Sequence, residues 1–363
     1  MKILWLTNIP SPYRVDFFNE LGKRCELTVL FEKRLSDERD DSWKNFKTEN
    51  FKAVFLSGKS VRTDSALCFG VTKYLNKNTY DHIVVSNFFD VTGMMAIAKL
   101  RAARIPYIVE SDGGFAGSGK GPKEGLKRWL LKGARAYFST ADSHDEYYLT
   151  YGAQRDALIR YPFTSLWDAD VLEAPVSDET RAGLRQKLGV SESQMIVAVG
   201  QFIHRKGFDV LIEAMAQVSP EIGCYIVGGT PTAEYIELVE RLGLKNIHFV
   251  GFKSKPELAE YYMAADAFVH PTREDIWGLV INEARATGLP VITTDRCIAG
   301  LELISSEVPG EIVPVGDVEA LAAAITRTLA AVGGEQSKAV LRRAREYTFE
   351  KMAARHIDAL EKL

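Results

Sequence analysis

The chain has 363 residues, of which 46% are hydrophobic and 26% charged, which predicts two or three folded domains and excludes a disordered chain. Its net charge of −3 hides an imbalance: residues 1–165 hold 25 Lys and Arg against 19 acids, and the remainder holds 20 against 29. Four scattered cysteines without a CxxC pair argue against a disulfide framework or a zinc site, and no apolar run is long enough to span a bilayer.

The start, MKILWLTNIP, enters a strand pattern directly, so no leader peptide is expected, and the reducing cytoplasm is the expected compartment. Strands are expected at Ile3–Thr7, Leu27–Phe31, His82–Ser86, Tyr107–Glu110 and Tyr137–Ser139. Helices are expected at Arg14–Lys23, Ala66–Asn76, Thr92–Ala103, Lys123–Gly133 and Asp145–Tyr151. Such alternation predicts a parallel sheet covered on both faces, forming a first domain over residues 1–161. Residues 162–180 lack periodicity and read as a linker. A second series fills residues 181–337: Met195–Val199, helix Phe208–Gln217, Cys224–Val227, helix Glu234–Leu242, Ile247–Val250, helix Pro256–Ala264, Phe268–His270, helix Leu279–Thr287, Val291–Thr294 and helix Val318–Leu329. Residues 338–363 read as one long helix. The whole predicts an α/β protein of two Rossmann-like doubly wound lobes facing a cleft, with ligands at the carboxyl ends of the strands.

The stretch Phe268–Ile304 carries the most chemistry. Asp275 lies in a loop, Glu283 about two turns into the following helix, and between them Trp277-Gly278-Leu279 opens that helix. A helix start offers unpaired N–H groups and a partial positive charge, which attract phosphate. An ionised acid accepts two hydrogen bonds from a vicinal diol. Together they suit a sugar nucleotide. Upstream, Gly200 to Gly207 follows a strand and opens a helix, and its adjacent Arg205 and Lys206 can neutralise a diphosphate. In the first lobe, Tyr13 and Arg14 sit on the first strand-to-helix loop, where Arg14 can meet an anionic acceptor. Glu110, Asp112, Gly113 and Gly114 follow the strand Tyr107–Glu110, and either acid can take a proton or bind sugar hydroxyls.

The spacing of Asp275 and Glu283, with Gly288-Leu289-Pro290-Val291-Ile292 after it, resembles the donor-site signature of the retaining family 4 glycosyltransferases of GT-B fold. The resemblance implies a metal-independent transfer of a sugar from a nucleoside diphosphate, UDP before GDP, to a hydroxyl of a glycan or lipid-linked acceptor in bacterial surface polysaccharide synthesis. No cofactor and no metal ion are expected. The same resemblance implies that Lys206, Arg205 and the helix start stabilise the leaving diphosphate, that Glu283 holds the ribose and that Asp275 holds a hydroxyl of the transferred sugar. It puts Gly251 and Phe252 beside the base and Glu302 near the donor sugar, and has the last helix cross back to the first lobe. Three positions depart from the family: Asp275 for Glu, Gln201 for Arg, and Asp112 where a His is common. These departures motivate a catalytically inactive sugar-nucleotide-binding subunit as one alternative, and the paired lobes allow a sugar-nucleotide 2-epimerase as another.

Two further motifs are decoys by context. Gly114 to Lys120 fits GxxxxGK but lacks the Ser or Thr of a P-loop, and Asp168-Ala169-Asp170 spells a metal-binding DxD within the linker. Residues Pro122–Lys132 put Leu126, Trp129 and Leu130 on one face amid cations. That pattern suits a helix packed on the sheet with its basic side toward an anionic membrane, and so a cytoplasmic protein peripheral to the membrane. No nucleic-acid partner is expected.

Overall fold

The computed structural model describes residues 1–34, 47–117 and 121–363. The chain forms two compact units, Met1–Thr164 with Phe349–Leu363, and Ser165–Thr348. In the first unit, β1 (Lys2–Thr7), β2 (Glu26–Phe31), β3 (Lys52–Phe55), β4 (Lys59–Arg62), β5 (Ser65–Leu67), β6 (His82–Val85), β7 (Ile108–Glu110), β8 (Ala136–Ser139) and β9 (Leu158–Arg160) follow in order. Seven of them build one sheet in the order β3-β2-β1-β6-β7-β8-β9, and β4 and β5 form an antiparallel pair. The core strands are continuous apolar runs because helices cover both faces: five of the six residues in KILWLT are buried, and the main-sheet pairings are parallel.

The second unit repeats the plan with β10 (Gln194–Val199), β11 (Ile222–Val227), β12 (Ile247–Val250), β13 (Ala267–His270), β14 (Val291–Thr294) and β15 (Gly310–Val313). Its order is β12-β11-β10-β13-β14-β15, with every pair parallel. In each sheet the winding reverses beside the first strand, between β1 and β6 and between β10 and β13. The loops leaving those strands diverge there and leave room for ligand.

Three expectations fail for identifiable reasons. Ala66–Asn76 is not an α-helix but the end of β5 and a 3₁₀ turn, Phe69–Lys73. Its backbone is claimed from outside: the Glu32 carboxylate accepts the Ala66 N–H at 3.0 Å, and Thr92 Oγ1 accepts the Cys68 N–H at 2.9 Å. The long last helix is two, Gly334–Ala344 and Phe349–Leu360, and the second lies in the first unit. There His356 packs against Phe138 with ring centres 4.2 Å apart. The stretch read as linker already starts a helix, Asp178–Leu188, whose first turn is capped by Ser177 Oγ accepting the Thr180 N–H at 3.1 Å. On the basic helix Pro122–Leu131, Leu130 and Leu131 are buried while Leu126 and Trp129 are 41% and 45% exposed.

Candidate functional site

The second unit gathers its charged side chains at the carboxyl ends of β10 and β13. After β10, His204–Lys206 make one 3₁₀ turn, and Gly207 reverses the chain at φ 68°. Any Cβ at Gly207 would lie 2.1 Å from the Pro271 carbonyl oxygen, so only glycine lets the turn lie against the chain leaving β13. Thr272 Oγ1 and the Arg273 N–H both donate to the Arg205 carbonyl, at 2.9 and 2.8 Å, tying the two loops together. Arg273 clamps Asp209 through its two terminal guanidinium nitrogens, at 2.8 and 2.6 Å. This support fixes the cations beside it.

Asp275 sits at the centre. Its Oδ2 accepts from Lys206 Nζ at 2.6 Å and from His270 Nε2 at 3.1 Å, and Arg205 approaches its Oδ1 at 3.5 Å. Burial alone would raise the Asp275 carboxyl, but the His270 hydrogen bond and the Lys206 charge outweigh it and hold it well below the usual carboxylate range. Burial lowers the affinity of His270 for a proton, so the ring is neutral and donates from Nε2, leaving its buried Nδ1 unpartnered. Two cations thus meet one carboxylate, an excess of positive charge beside the start of the helix Leu279–Ala286, whose cap Gly278 brings no side chain. Such a place draws a phosphate group.

Glu283 occupies the middle of that helix. Tyr262 and Ser165 hydroxyls donate to it at 3.3 and 3.5 Å, and burial, against the pull of the Lys255 charge, pushes its carboxyl up to about 7. Gly200 leaves β10 beside the Lys206 side chain. Gly251 and Phe252 follow β12, with Phe252 82% exposed. Trp277 turns inward, donating to Asn282 Oδ1 at 2.7 Å and stacking on Tyr347. Glu302 accepts from the Tyr347 hydroxyl at 2.9 Å and pairs with Arg343 at 3.7 Å. Asp168–Asp170 form a single 3₁₀ turn in which Asp170 takes the Trp167 N–H and the Lys255 ammonium, each at 2.8 Å. Ser118 to Lys120, the end of the GxxxxGK run, lie outside the described residues.

In the first unit a buried ion pair lies under the loops after β1 and β7. Arg14 donates to both Glu110 oxygens, at 2.8 and 3.0 Å, and pairs also with Asp112. Ser86 and Tyr161 hydroxyls complete the Glu110 shell at 2.6 and 2.7 Å. Burial would raise Glu110, yet Arg14 and these donors lower it. All its lone pairs are occupied, so Glu110 orients Arg14 and is no free base. Asp112 accepts from Tyr13 at 2.7 Å and keeps 32% of its side chain exposed, which leaves it the accessible acid of the group. Gly114 passes within 3.1 Å of the Tyr147 ring, as measured from the Cβ it lacks, and Gly113 precedes it on the same loop.

Residues 181–347 match the family described as "Glycosyl transferases group 1". The second unit carries a glycosyltransferase group 1 domain. The chain is 36% identical over 119 residues to the lipopolysaccharide glucosyltransferase WaaG of Escherichia coli, a match covering 31% of each chain. The chain therefore spans about a third of the length of that relative. To the amylovoran biosynthesis glycosyltransferase AmsK of Erwinia amylovora it is 29% identical over 354 residues, 86% of this chain and 85% of AmsK. Among solved structures, Anabaena HepE in complex with UDP and glucose superposes with a TM-score of 0.77 over 100% of both chains at 19% identity. That likeness is one of fold: two parallel-sheet Rossmann-like lobes of GT-B type.

Within the group 1 domain, Lys206, Arg205, Asp275 and the helix start at Gly278 come together, while Trp277 and Glu302 are engaged in packing around Tyr347. Sequence reading missed His270 and Tyr262. His270 had a signal, a polar residue ending a buried strand just before the loop that carries Asp275. Tyr262 had none, because its partner Glu283 lies 21 positions away on another helix. Tyr161 was missed likewise, 51 positions from Glu110.

Proposed function

We propose that this chain transfers a sugar from a nucleoside diphosphate, UDP before GDP, to a hydroxyl of a glycan or lipid-linked acceptor, with retention and without a metal ion. The observation that carries the reading is the Lys206–Asp275–His270 cluster with Arg205 beside it: two cations, one carboxylate and an open helix start at the switch point of the sheet. When the diphosphate arrives, Lys206 and Arg205 bind its oxygens and stabilise the charge that grows on it as the sugar leaves. Asp275, ionised across the physiological range, accepts a hydroxyl of the transferred sugar. Glu283 accepts the ribose hydroxyls, Gly251 and Phe252 border the base, and the diphosphate itself takes the acceptor proton. Asp112, with Tyr13 and Arg14 behind it, binds the acceptor.

The names of the relatives support the substrates. WaaG acts in lipopolysaccharide and AmsK in amylovoran biosynthesis, and HepE is seen with UDP and glucose. A surface-polysaccharide role follows, at the inner face of the membrane. There the exposed Leu126 and Trp129 and the cations around them meet anionic lipid. The test is incubation with a panel of UDP- and GDP-sugars, with and without a membrane extract as acceptor source. Nucleotide released only with acceptor supports transfer. An isomerised donor, or binding without turnover under every condition, overturns it.

A further inference from the structure

A second charged site lies in the first unit, at the amino ends of β8 and β9 and so at the opposite edge of the sheet from the loops carrying Asp112 and Arg14. A cavity of about 610 Å³ opens there between those strand starts and the last helix, Phe349–Leu360, with its following turn. This is the size of a pocket for a small organic ligand. Apolar residues, Tyr137 among them, line it together with Lys132, Arg135, Arg355 and Lys362, and Asp156 is the one acidic side chain in the lining.

Among the described residues, none of the four cations reaches a carboxylate at ion-pair distance. The one hydrogen bond made by their side chains runs from Arg355 Nε to the Arg160 carbonyl, at 2.8 Å. Some cations elsewhere in the unit do reach acids: Lys23 and Arg24 share Glu20, Lys127 meets Glu124, and Arg160 meets Asp142. Four like charges around one hollow repel one another and focus a positive potential into it. An anion relieves that repulsion. The guanidinium groups of Arg135 and Arg355 suit phosphate oxygens in particular, since each presents parallel N–H donors.

We infer that this cavity is a second binding site, separate from the group 1 domain, for an organic phosphate: the phosphate lies among Lys132, Arg135, Arg355 and Lys362, and the organic part lies against the apolar residues of the lining. The phosphate comes either from a free phosphorylated metabolite or from a phospholipid headgroup.

Arg135 and Lys362 are the residues to change, since both side chains are exposed and hold no other part of the fold. Pyrophosphate binding is measured by calorimetry on the wild type, on Lys206→Ala and on the double variant Arg135→Ala/Lys362→Ala, with thermal melts to confirm folding. Sedimentation with phosphatidylglycerol vesicles runs alongside, phosphatidylcholine vesicles being the blank. Losing two charge-assisted contacts weakens binding by at least about tenfold in the double variant, while Lys206→Ala keeps this site intact. A loss confined to pyrophosphate identifies a free phosphate as the ligand, and a loss confined to vesicles identifies a lipid headgroup. Either supports the site. The inference falls if the double variant binds both probes as the wild type does.

Discussion

The proposed contact of Glu283 with the ribose makes donor binding depend on pH in a way that can be worked out beforehand. Its carboxyl is lifted to about 7 by burial, against the opposing Lys255 charge and the Tyr262 and Ser165 hydrogen bonds. Only the ionised form accepts both ribose hydroxyls. With such a value, about a tenth of the molecules carry the charge at pH 6 and about nine-tenths at pH 8. Affinity for a UDP-sugar therefore falls towards tenfold per pH unit below about 7, until binding by the neutral acid takes over, and levels off above about 8. UDP-glucose is the right probe, because its diphosphate has no proton to lose in this range. Calorimetry gives the dissociation constant across the window for wild type and for Glu283→Gln, which keeps the shape and removes the charge. The variant binds more weakly at high pH and its profile is flat. Fold stability runs the other way. A carboxyl raised from 4.5 to about 7 contributes its stability below 4.5 and loses it as pH rises through about 7. Weaker binding at low pH is thus not unfolding. The reasoning fails if wild-type affinity is flat or improves on acidification, or if Glu283→Gln keeps the wild-type slope.

The remaining predictions concern stability and charge. Arg285 is 1% exposed, all three of its guanidinium nitrogens are unpartnered, and burial with the nearby Arg343 charge lowers it to about 9. Arg285→Met removes an uncompensated buried cation and should stabilise the second unit by about 2–4 kcal/mol in scanning calorimetry. A lowered melting temperature would show that the cation has a partner in solution. Glu110→Ala strips the buried Arg14 of its two-pronged acceptor and should cost the first unit roughly 3–5 kcal/mol in urea unfolding, so an unchanged midpoint would refute the structural role given to that pair. In the proposed mechanism Lys206 and Arg205 neutralise the diphosphate, so sugar transfer should survive EDTA; activity abolished by the chelator and restored by a divalent ion would contradict this.

The parts of the fold that the sequence reveals are those where local pattern and tertiary context agree. The buried parallel strands read clearly because both their faces are apolar, and the charged loops after β10 and β13 because Arg205, Lys206, Asp275 and Gly278 cluster at strand ends along the chain. Ala66–Asn76 misled because its helical spacing competes with side chains from Glu32 and Thr92, which no local window contains. The last segment misled because its two helices bury faces in different units, and the break between them carries neither Gly nor Pro. Trp277 and Glu302 lie in loops that the sequence singles out, and their side chains meet Tyr347. Side-chain direction there is set by packing across helices and not by sequence spacing. The Glu110 shell was illegible for the same reason: Arg14, Ser86 and Tyr161 reach it from three separate segments.

A crystal structure with UDP-glucose bound tests the central claim most directly. The expected map has the diphosphate within hydrogen-bond distance of Lys206 Nζ and Arg205, beside the Gly278 helix start, with the ribose on Glu283. A nucleotide held elsewhere, with the Lys206–Asp275 pair unchanged, would contradict it.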